Sequence, residues 1–431
     1  MCTDKDSRPT QVSDIRSGLG VPRVLVCTTV LLLLAGGHWL CAQGIERQSL
    51  AGESAAEAAR GSDTNQPYNL QLGPVTLRAD ASLSASYNDN IDIAHTGRIS
   101  DVILTPNLNL HALWQATDLN ALTFDLGIGY DWYTMHSGNS ALTISPSSQT
   151  QFNIYAGDFK INLHDRFSFS QDPIAVAQLS NVNEFPVFVN VAGLQVDWDL
   201  TDVILSLGYD HTNQWVFDRN YDYLNYQSDT VSPRVTVKID KLTDAGLATS
   251  FSSQRYDQNI QNDNTTFMVG PFVSSKLNED LSIRAEAGGQ FTNYDKGGLN
   301  GDTSNLAAFY GNLGVTHRIN EVLTETLTGG REFLPGISSN NTQRIYADYT
   351  FNWQATSYLS VGTNLWWENL EDSDATFSEK SNRYGAGLTL AYNLNDHATI
   401  NLGYQYILKD ANPSIDSYSQ NVVTLTFLYH F

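Results

Sequence analysis

Charged side chains of both signs stand between apolar residues at every second position in many segments of the chain. In the stretch Leu122 to Trp132, for example, Asp125 and Asp131 fall between alternating apolar residues. An extended strand projects successive side chains to opposite faces, so these charges share one polar face. On a wet wall they would orient polar solutes through a transverse field, stabilise the wall by pairing across strands, or do both. The residues predicted to line this wall are Arg234, Lys238, Arg284, Arg318, Arg344, Arg383, Asp125, Asp131, Asp197, Asp210, Glu286 and Asp348.

Glycines share the same predicted face. They would either leave room along the wall or relieve strand curvature. These glycines are Gly127, Gly129, Gly208, Gly288, Gly385 and Gly387.

Motifs for catalysis or cofactor binding do not occur in the sequence. There is no Gly-x-Ser-x-Gly elbow, no His-Glu-x-x-His pair and no Gly-x-x-x-x-Gly-Lys loop. The histidines are scattered, and His111, His164, His317 and His397 fall near predicted turns, a placement typical of solvated strand ends. The sequence therefore predicts no catalytic residue, no cofactor, no metal site and no enzyme. A hydrolase with Ser, His and Asn on the outer wall is a less favoured reading.

Two acidic segments, Glu368 to Asp374 and Asp257 to Asp263, are candidates for loops. Their carboxylates would either bind Ca²⁺ or form a hydrated rim that shares divalent ions with lipopolysaccharide. The rim is the favoured interpretation.

The composition excludes several classes of protein. Of the 431 residues, 11% are aromatic, which is too much apolar bulk for a disordered chain. No uncharged apolar run after residue 40 approaches the roughly 20 residues of a membrane-spanning helix. Asp and Glu outnumber Lys and Arg by 46 to 24, which argues against a nucleic-acid partner.

The N-terminal region has the features of an export signal. Arg16 and Arg23 precede the apolar run Val24 to Leu34, and small residues follow near Cys41 and Ala42. We predict a signal peptide over 1–42, which would remove all three cysteines and leave 20 basic and 43 acidic residues. A single membrane anchor is the alternative. Residues 43–73 are rich in Ala, Gly, Ser and Glu, and we interpret them as a flexible periplasmic leader or a small plug.

From Val75 onward the sequence predicts β-strands joined by alternating short turns and longer polar loops. A short turn motif recurs about every 40 residues, beginning with Ala116-Thr117-Asp118 and ending with Leu394-Asn395-Asp396. The intervening copies begin at Leu163, Leu200, Leu242, Leu277, Ile319 and Ala355. Eight such turns predict eighteen strands, with 16–18 plausible, in an all-β transmembrane antiparallel up-and-down β-barrel over 74–431. The Gln151–Val191 region follows the pattern least well, and Gly157-Asp158 there suggests a bulge.

The last strand and the first hairpin carry the most specific signals. Alternating apolar residues finish on an aromatic, a pattern that resembles the C-terminal signature read by the bacterial barrel assembly machinery: Val423, Leu425, Phe427, Tyr429 and Phe431. The corner Tyr87-Asn88-Asp89-Asn90 and the following Ser100-Asp101 and Thr105-Pro106-Asn107-Leu108 resemble the opening of a β-barrel porin family of Gram-negative outer membranes. That family is largely uncharacterised and often associated with exopolysaccharide loci.

The resemblance implies a protein exported to the bacterial outer membrane, in contact with lipid and lipopolysaccharide. Together with the strand pattern it predicts a porin-like channel for passive passage of small polar solutes or saccharides, since 16–18 strands leave room for an aqueous lumen. The alternative is a non-conducting or export component of an exopolysaccharide secretion or anchoring system. The family offers no catalytic residues to carry over.

Overall fold

The computed structural model describes residues 68–373 and 378–431. The predicted signal peptide and the leader up to residue 67 lie outside these ranges. Within them, no helix is both long enough and apolar enough to cross a membrane.

The described ranges contain twenty β-strand segments and a few short 3₁₀ turns. The strands are β1 (Leu70–Leu72), β2 (Val75–Asn88), β3 (Asp101–Gln115), β4 (Ala121–Tyr133), β5 (Ala141–Ile144), β6 (Gln149–Ala156), β7 (Phe159–Ser170), β8 (Val187–Asp199), β9 (Val203–Val216), β10 (Tyr226–Lys238), β11 (Thr243–Tyr256), β12 (Asn264–Lys276), β13 (Leu281–Tyr294), β14 (Leu306–Asn320), β15 (Leu323–Pro335), β16 (Asn341–Gln354), β17 (Leu359–Asp372), β18 (Lys380–Asn395), β19 (Ala398–Asn412) and β20 (Tyr418–His430).

The sheet closes into a barrel. Neighbouring strands pair antiparallel in chain order, and β2 pairs with β20 to complete the ring. The segments β5 and β6 occupy one position, because both pair with β4 on one side and with β7 on the other. The nineteen segments β2–β20 therefore make eighteen barrel strands, while the short β1 only extends the edge beside β2. This confirms the predicted all-β transmembrane antiparallel up-and-down barrel.

Alternation along each strand explains why the sheet has an apolar outside and a polar inside. In β10, Ser228, Thr230 and Ser232 are buried, whereas Val231, Val235 and Val237 at odd-numbered positions are exposed. A soluble protein would not leave so much aliphatic and aromatic surface in contact with water. An exposed apolar belt around a closed ring of strands is the arrangement that lipid requires.

Eight short turns lie at one end of the barrel, as the sequence predicted, but one of them was misplaced. The motif Leu163-His164-Asp165 lies in the middle of β7, and the turn is instead Gly157-Asp158, between β6 and β7. Gly157 has a positive φ of 61°, which suits a tight connection. The predicted bulge is therefore the turn, and the predicted turn is part of the wall.

The last strand, β20, forms the seam of the barrel with β2. Ala81 pairs with Tyr429, and Ser84 Oγ lies 2.8 Å from Thr426 Oγ1 across the seam. The five residues of the predicted assembly signal are exposed on the outside: Val423, Leu425, Phe427, Tyr429 and Phe431.

Longer connections lie at the opposite end, which we call the long-loop end. The connection between β7 and β8, residues 171–186, is the longest and turns inward; we call it the strap. Near its start is a 3₁₀ turn, Pro173–Ala175, in which the Asp172 side chain accepts a hydrogen bond from Ile174 N at 3.0 Å. Its apolar residues are buried although it is a loop, so it must pack against another part of the barrel.

Candidate functional site

The strap packs across the lumen into an apolar cluster. Its residues Ile174, Val176, Leu179, Val182 and Phe185 are buried in this cluster. The other members come from distant loops and from the inner wall: Ile93, Val216, Leu224, Ile337, Ile407 and Tyr418. Because β7 and β18–β20 stand on well-separated parts of the ring, the strap spans the long-loop end rather than following the wall.

Two buried cations of the inner wall hold the strap by its backbone. Arg383 Nη2 on β18 donates to the carbonyl oxygen of Ile174 at 3.1 Å. Lys409 Nζ on β19 donates to the carbonyl oxygens of Gln178 (3.2 Å) and Leu179 (3.4 Å) and to Ser180 Oγ (3.0 Å). Charged donors make stronger hydrogen bonds than neutral ones, so these are the principal polar anchors of the strap.

Arg383 is the last member of a row of alternating charges across four adjacent strands. Glu332 Oε1 on β15 accepts from Arg344 Nη1 at 2.7 Å, and Arg344 Nε donates to Glu368 Oε2 at 2.5 Å. Glu368 Oε1 then accepts from Arg383 Nη1 at 2.7 Å. We call these four residues the ladder. It contains two acids and two bases, so it carries no net charge, and each member is fixed by its neighbours.

Lys409 has its own counterion, Glu379, which precedes β18 and lies 2.8 Å away. Burial raises the pKa of Glu379 above its ordinary value, although the ammonium group of Lys409 acts in the opposite direction. Burial also raises the pKa of Asp172, at the neck of the strap, to about 6, while the hydrogen bond from Ile174 N opposes that rise. Asp131 on β4 raises the pKa of Asp172 further, and Arg383 lowers it. The docked strap therefore contains a carboxylic acid that titrates near neutrality.

A second, polar network joins four of the longer loops. Asp302 accepts hydrogen bonds from Asn340 N (2.9 Å), Ser304 Oγ and Ser373 Oγ (both 2.5 Å). Burial alone would raise the pKa of Asp302, but these hydrogen bonds hold it below its ordinary value. Asn262 Nδ2 adds a bond of 2.9 Å to the backbone oxygen of Asp302. The hydrogen bonds of this network join the loops to one another and do not involve the strap.

The predicted wall residues all lie on the face opposite the exposed apolar belt, but only some meet. Arg344 and Arg383 belong to the ladder, whereas Lys238 and Arg318 lie at the short-turn end, paired with Asp199 and Asp280. Arg284 lies near the short-turn end of β13, where it pairs with Gly314. The other polar contacts are Arg234 on the ring of Phe272, Asp125 with His111, Asp131 with Thr105, Asp197 with Gln195, Asp210 with His164, Glu286 with Tyr310, and Asp348 with Asn364.

His164 differs from the prediction of a solvated strand end. Its ring is buried in the inner wall, where Nε2 lies 2.7 Å from Asp210 Oδ1 and Nδ1 lies 2.8 Å from Asn162 Oδ1. Gly193, on the strand between them, leaves the space for this contact, because a Cβ there would lie 2.3 Å from Asp210 Oδ1. In the described ranges no group of three or more acidic, His or Cys side chains could hold a metal ion.

Several of the predicted wall glycines provide space that neighbouring side chains fill. A Cβ on Gly385 would lie 2.0 Å from the ring of Trp366, whose face is in turn approached by Arg383 at 5.3 Å. A Cβ on Gly127 would meet Ser145 Cβ at 2.6 Å. At these positions the missing side chain accommodates a neighbour rather than widening the lumen.

Sequence reasoning did not place Glu332, Glu368 or Lys409 on the inner wall. Alternation alone could have found Lys409, since Leu402, Tyr404 and Leu408 mark the outer face of β19. The acidic segment starting at Glu368 is not a loop rim: Glu368 to Asp372 continue β17, and Glu368 and Leu370 are buried. Asp374 lies outside the described residues.

The corner that carried the family resemblance has a structural role. Asn90, fully buried, accepts from Ala94 N and donates to the carbonyl oxygens of Ala94 (3.0 Å) and Ser419 (2.9 Å). Asp89 accepts from the backbone and side-chain nitrogens of Asn421, both at 2.7 Å. These bonds fold the first long loop over β20, beside the strap.

Comparison with known proteins gives structural similarity without sequence similarity. No protein-family model and no curated protein matches the chain. Among solved structures, OccAB3 of Acinetobacter baumannii shares 10% identity over 82% of this chain and 99% of its own, with a TM-score of 0.46. A BenF-like porin of Pseudomonas fluorescens Pf-5 shares 10% identity over 82% and 99%, with a TM-score of 0.48. OpdK of Pseudomonas aeruginosa, solved with vanillate, shares 7% identity over 82% and 99%, also at 0.48.

Proposed function

We propose that the chain is an outer-membrane channel of a Gram-negative bacterium through which small polar solutes or saccharides pass. The observation that carries this proposal is the division of each strand into an exposed apolar face and a polar inner face around a closed ring of eighteen strands. A ring of this size encloses a lumen wider than its own side chains fill. The charges along its inner wall favour polar solutes over apolar ones.

In this proposal the short turns face the periplasm and the long loops face the cell exterior, as is general for such barrels. The barrel assembly machinery would recognise the exposed alternating residues from Val423 to Phe431. Lipopolysaccharide and lipid would surround the apolar belt. No step of this function needs a cofactor or a catalytic residue.

The decisive experiment is single-channel recording of the refolded protein in a planar bilayer, with impermeant labelling of cysteine variants on intact cells. We expect discrete conductance steps, labelling of Leu299→Cys in a long loop, and protection of Glu279→Cys in a short turn. Both side chains are exposed, so protection reports the side of the membrane. Labelling only at Glu279→Cys would reverse the orientation.

The alternative function is a barrel that anchors or assists an exopolysaccharide assembly without conducting. The apolar cluster of the strap lies across the long-loop end, which is compatible with a barrel that does not conduct. A folded, correctly oriented barrel that never conducts, even after the strap is loosened, would support that alternative.

A further inference from the structure

The strap is bound at both ends of its span, but by different means. At its neck, Phe185 N donates to the carbonyl oxygen of Gln171 at 2.7 Å, which closes the segment into a loop with its own base. At its far side, Ser180 Oγ donates to the carbonyl oxygen of Asp416 at 2.7 Å, and Asn181 Nδ2 to that of Ile415 at 3.0 Å. The strap can therefore leave the opposite wall as one unit while its neck stays formed.

The anchoring cations stay paired whether or not the strap is docked. Arg383 keeps Glu368, and Lys409 keeps Glu379, because neither glutamate belongs to the strap. Removing one partner of a buried ion pair is strongly unfavourable, and release of the strap avoids that penalty. What release exposes is the polar backbone of the strap and the apolar side chains of its cluster.

These apolar side chains favour the docked state. Ile174, Leu179 and Phe185 are almost completely buried, and burial of each such side chain favours docking by an amount comparable to a hydrogen bond to a charged group. Docking thus rests on separable contributions, apolar on the strap and cationic on the wall. A loop held in this way suits a two-state element better than a fixed constriction.

We propose that the strap is a reversible gate, which closes the long-loop end while it is docked on Arg383 and Lys409 and opens the channel when it leaves them. This inference rests on the proposed channel function and assigns its regulation. The ladder then acts as the rigid support that positions Arg383, and the strap, rather than the ladder, decides whether solutes pass.

The test tethers the strap and loosens it. Ser180→Cys and Asp416→Cys, in a background without the native cysteines, are joined by a short reversible bis-thiosulfonate reagent. We expect the tether to reduce the open fraction about tenfold and dithiothreitol to restore it. In the opposite direction, Leu179→Ser weakens docking without touching a wall charge and should raise the open fraction about tenfold. Leu299→Ser, in an exposed loop at the same end, is the matched control and should change nothing.

A second readout does not depend on conductance. Ala177, on the strap itself, is buried while the strap is docked, so Ala177→Cys should react with a thiol reagent only after release, and the tether should block labelling. If the channel conducts but neither the tether nor Leu179→Ser changes the open fraction, the proposal of a gate is wrong and the proposed channel function is retained. If nothing conducts while labelling still follows the tether, the channel function is wrong and strap release stands. If labelling ignores the tether, the strap is not the moving element.

Discussion

The imidazole of His164 and the carboxylate of Asp210 meet across an intervening strand, with Nε2 2.7 Å from Oδ1 above Gly193. The pair joins β7 to β9 from inside the barrel, in the middle of the wall where His164 pairs with Gly193 of β8. Substituting Gly193→Ala places a methyl group 2.3 Å from Asp210 Oδ1 and 2.4 Å from the backbone oxygen of Tyr209. We expect a loss of about 1–3 kcal/mol in unfolding free energy, as for other overpacked sites.

The control for Gly193→Ala is Gly403→Ala in β19, where a Cβ would touch nothing closer than 3.9 Å. Urea unfolding of both variants in detergent micelles measures the difference. Equal stability of the two variants would show that the space above Gly193 is not needed.

Glu368 is expected to be the most sensitive acid of β17. Glu368→Gln leaves Arg344 and Arg383 without the carboxylate they share, so we expect a loss of about 3–5 kcal/mol. Glu371→Gln, three residues later, removes only an exposed pair with Lys380 and should change stability by less than about 1 kcal/mol. The two unfolding midpoints should therefore separate clearly, and coincident midpoints would contradict a supporting role for the ladder.

A substitution by arginine should destabilise the barrel on the outer face of β14 and be tolerated on its inner face. Leu313 is exposed on the outer belt near the middle of the strand, while its neighbour Asn312 lies on the inner face opposite Glu286. Leu313→Arg should destabilise the barrel in lipid by about 2–4 kcal/mol, whereas Asn312→Arg should be tolerated. The measurement is the unfolding free energy of both variants in lipid vesicles. A larger loss for Asn312→Arg than for Leu313→Arg would mean that the two faces are misassigned.

Acid should favour the docked strap. The pKa of Asp172 is about 6 in the docked state, against an ordinary aspartate value near 4 when the strap is solvated. Docking therefore takes up a proton: it strengthens as the pH falls through 6, is strongest below about 4, and loses this contribution above 6. We expect a smaller open fraction at pH 5 than at pH 7.5.

The groups that face Asp172 are Asp131 and Tyr133 on β4 and Arg383 on β18. Glu184, on the strap itself, acts on Tyr133. The variant Asp172→Asn keeps the hydrogen bond from Ile174 N and cannot ionise, so its strap should stay docked at both pH values. A pH response of the open fraction that survives in Asp172→Asn would assign it to another group.

Ion selectivity should be cationic but weak. The wall arginines at 344 and 383 do not form an anion site, because Glu332 and Glu368 neutralise them. The excess of acidic residues then acts mainly at the mouth, where salt screens it over about 8–10 Å. The reversal potential should favour cations at low salt, and Asp257→Asn with Asp295→Asn, two exposed loop acids, should reduce that preference. Anion preference at low salt would contradict the argument.

The strand pattern predicted the architecture because alternation is a local property that lipid and lumen enforce on every strand. It gave the wrong answer at Leu163-His164-Asp165. A buried His beside an outward-facing Asp has the composition of a turn, and only the pairing of β7 with β6 and β8 makes the segment a strand. The strap was not foreseen for a related reason. Its apolar residues follow no period of two, and their binding partners lie far away in the sequence. Long-range pairing of this kind leaves no local signal.

The long sequence separation between the strap and its binding partners also determines the order in which parts of the barrel assemble. Arg383 follows Ile174 by 209 residues, and Lys409 follows Leu179 by 230, so the strap has no wall to meet until the strands beside the β2–β20 seam have arrived. Contacts of such high contact order form slowly, since a large chain loop must close first. Before these strands are in place, the side chains of Leu179 and Phe185 are exposed to solvent, and exposed apolar surface promotes aggregation. We therefore expect the pairing of β2 with β20 and the docking of the strap to occur in one late kinetic step. The barrel whose β2–β20 seam is still open is then the species most in need of a chaperone.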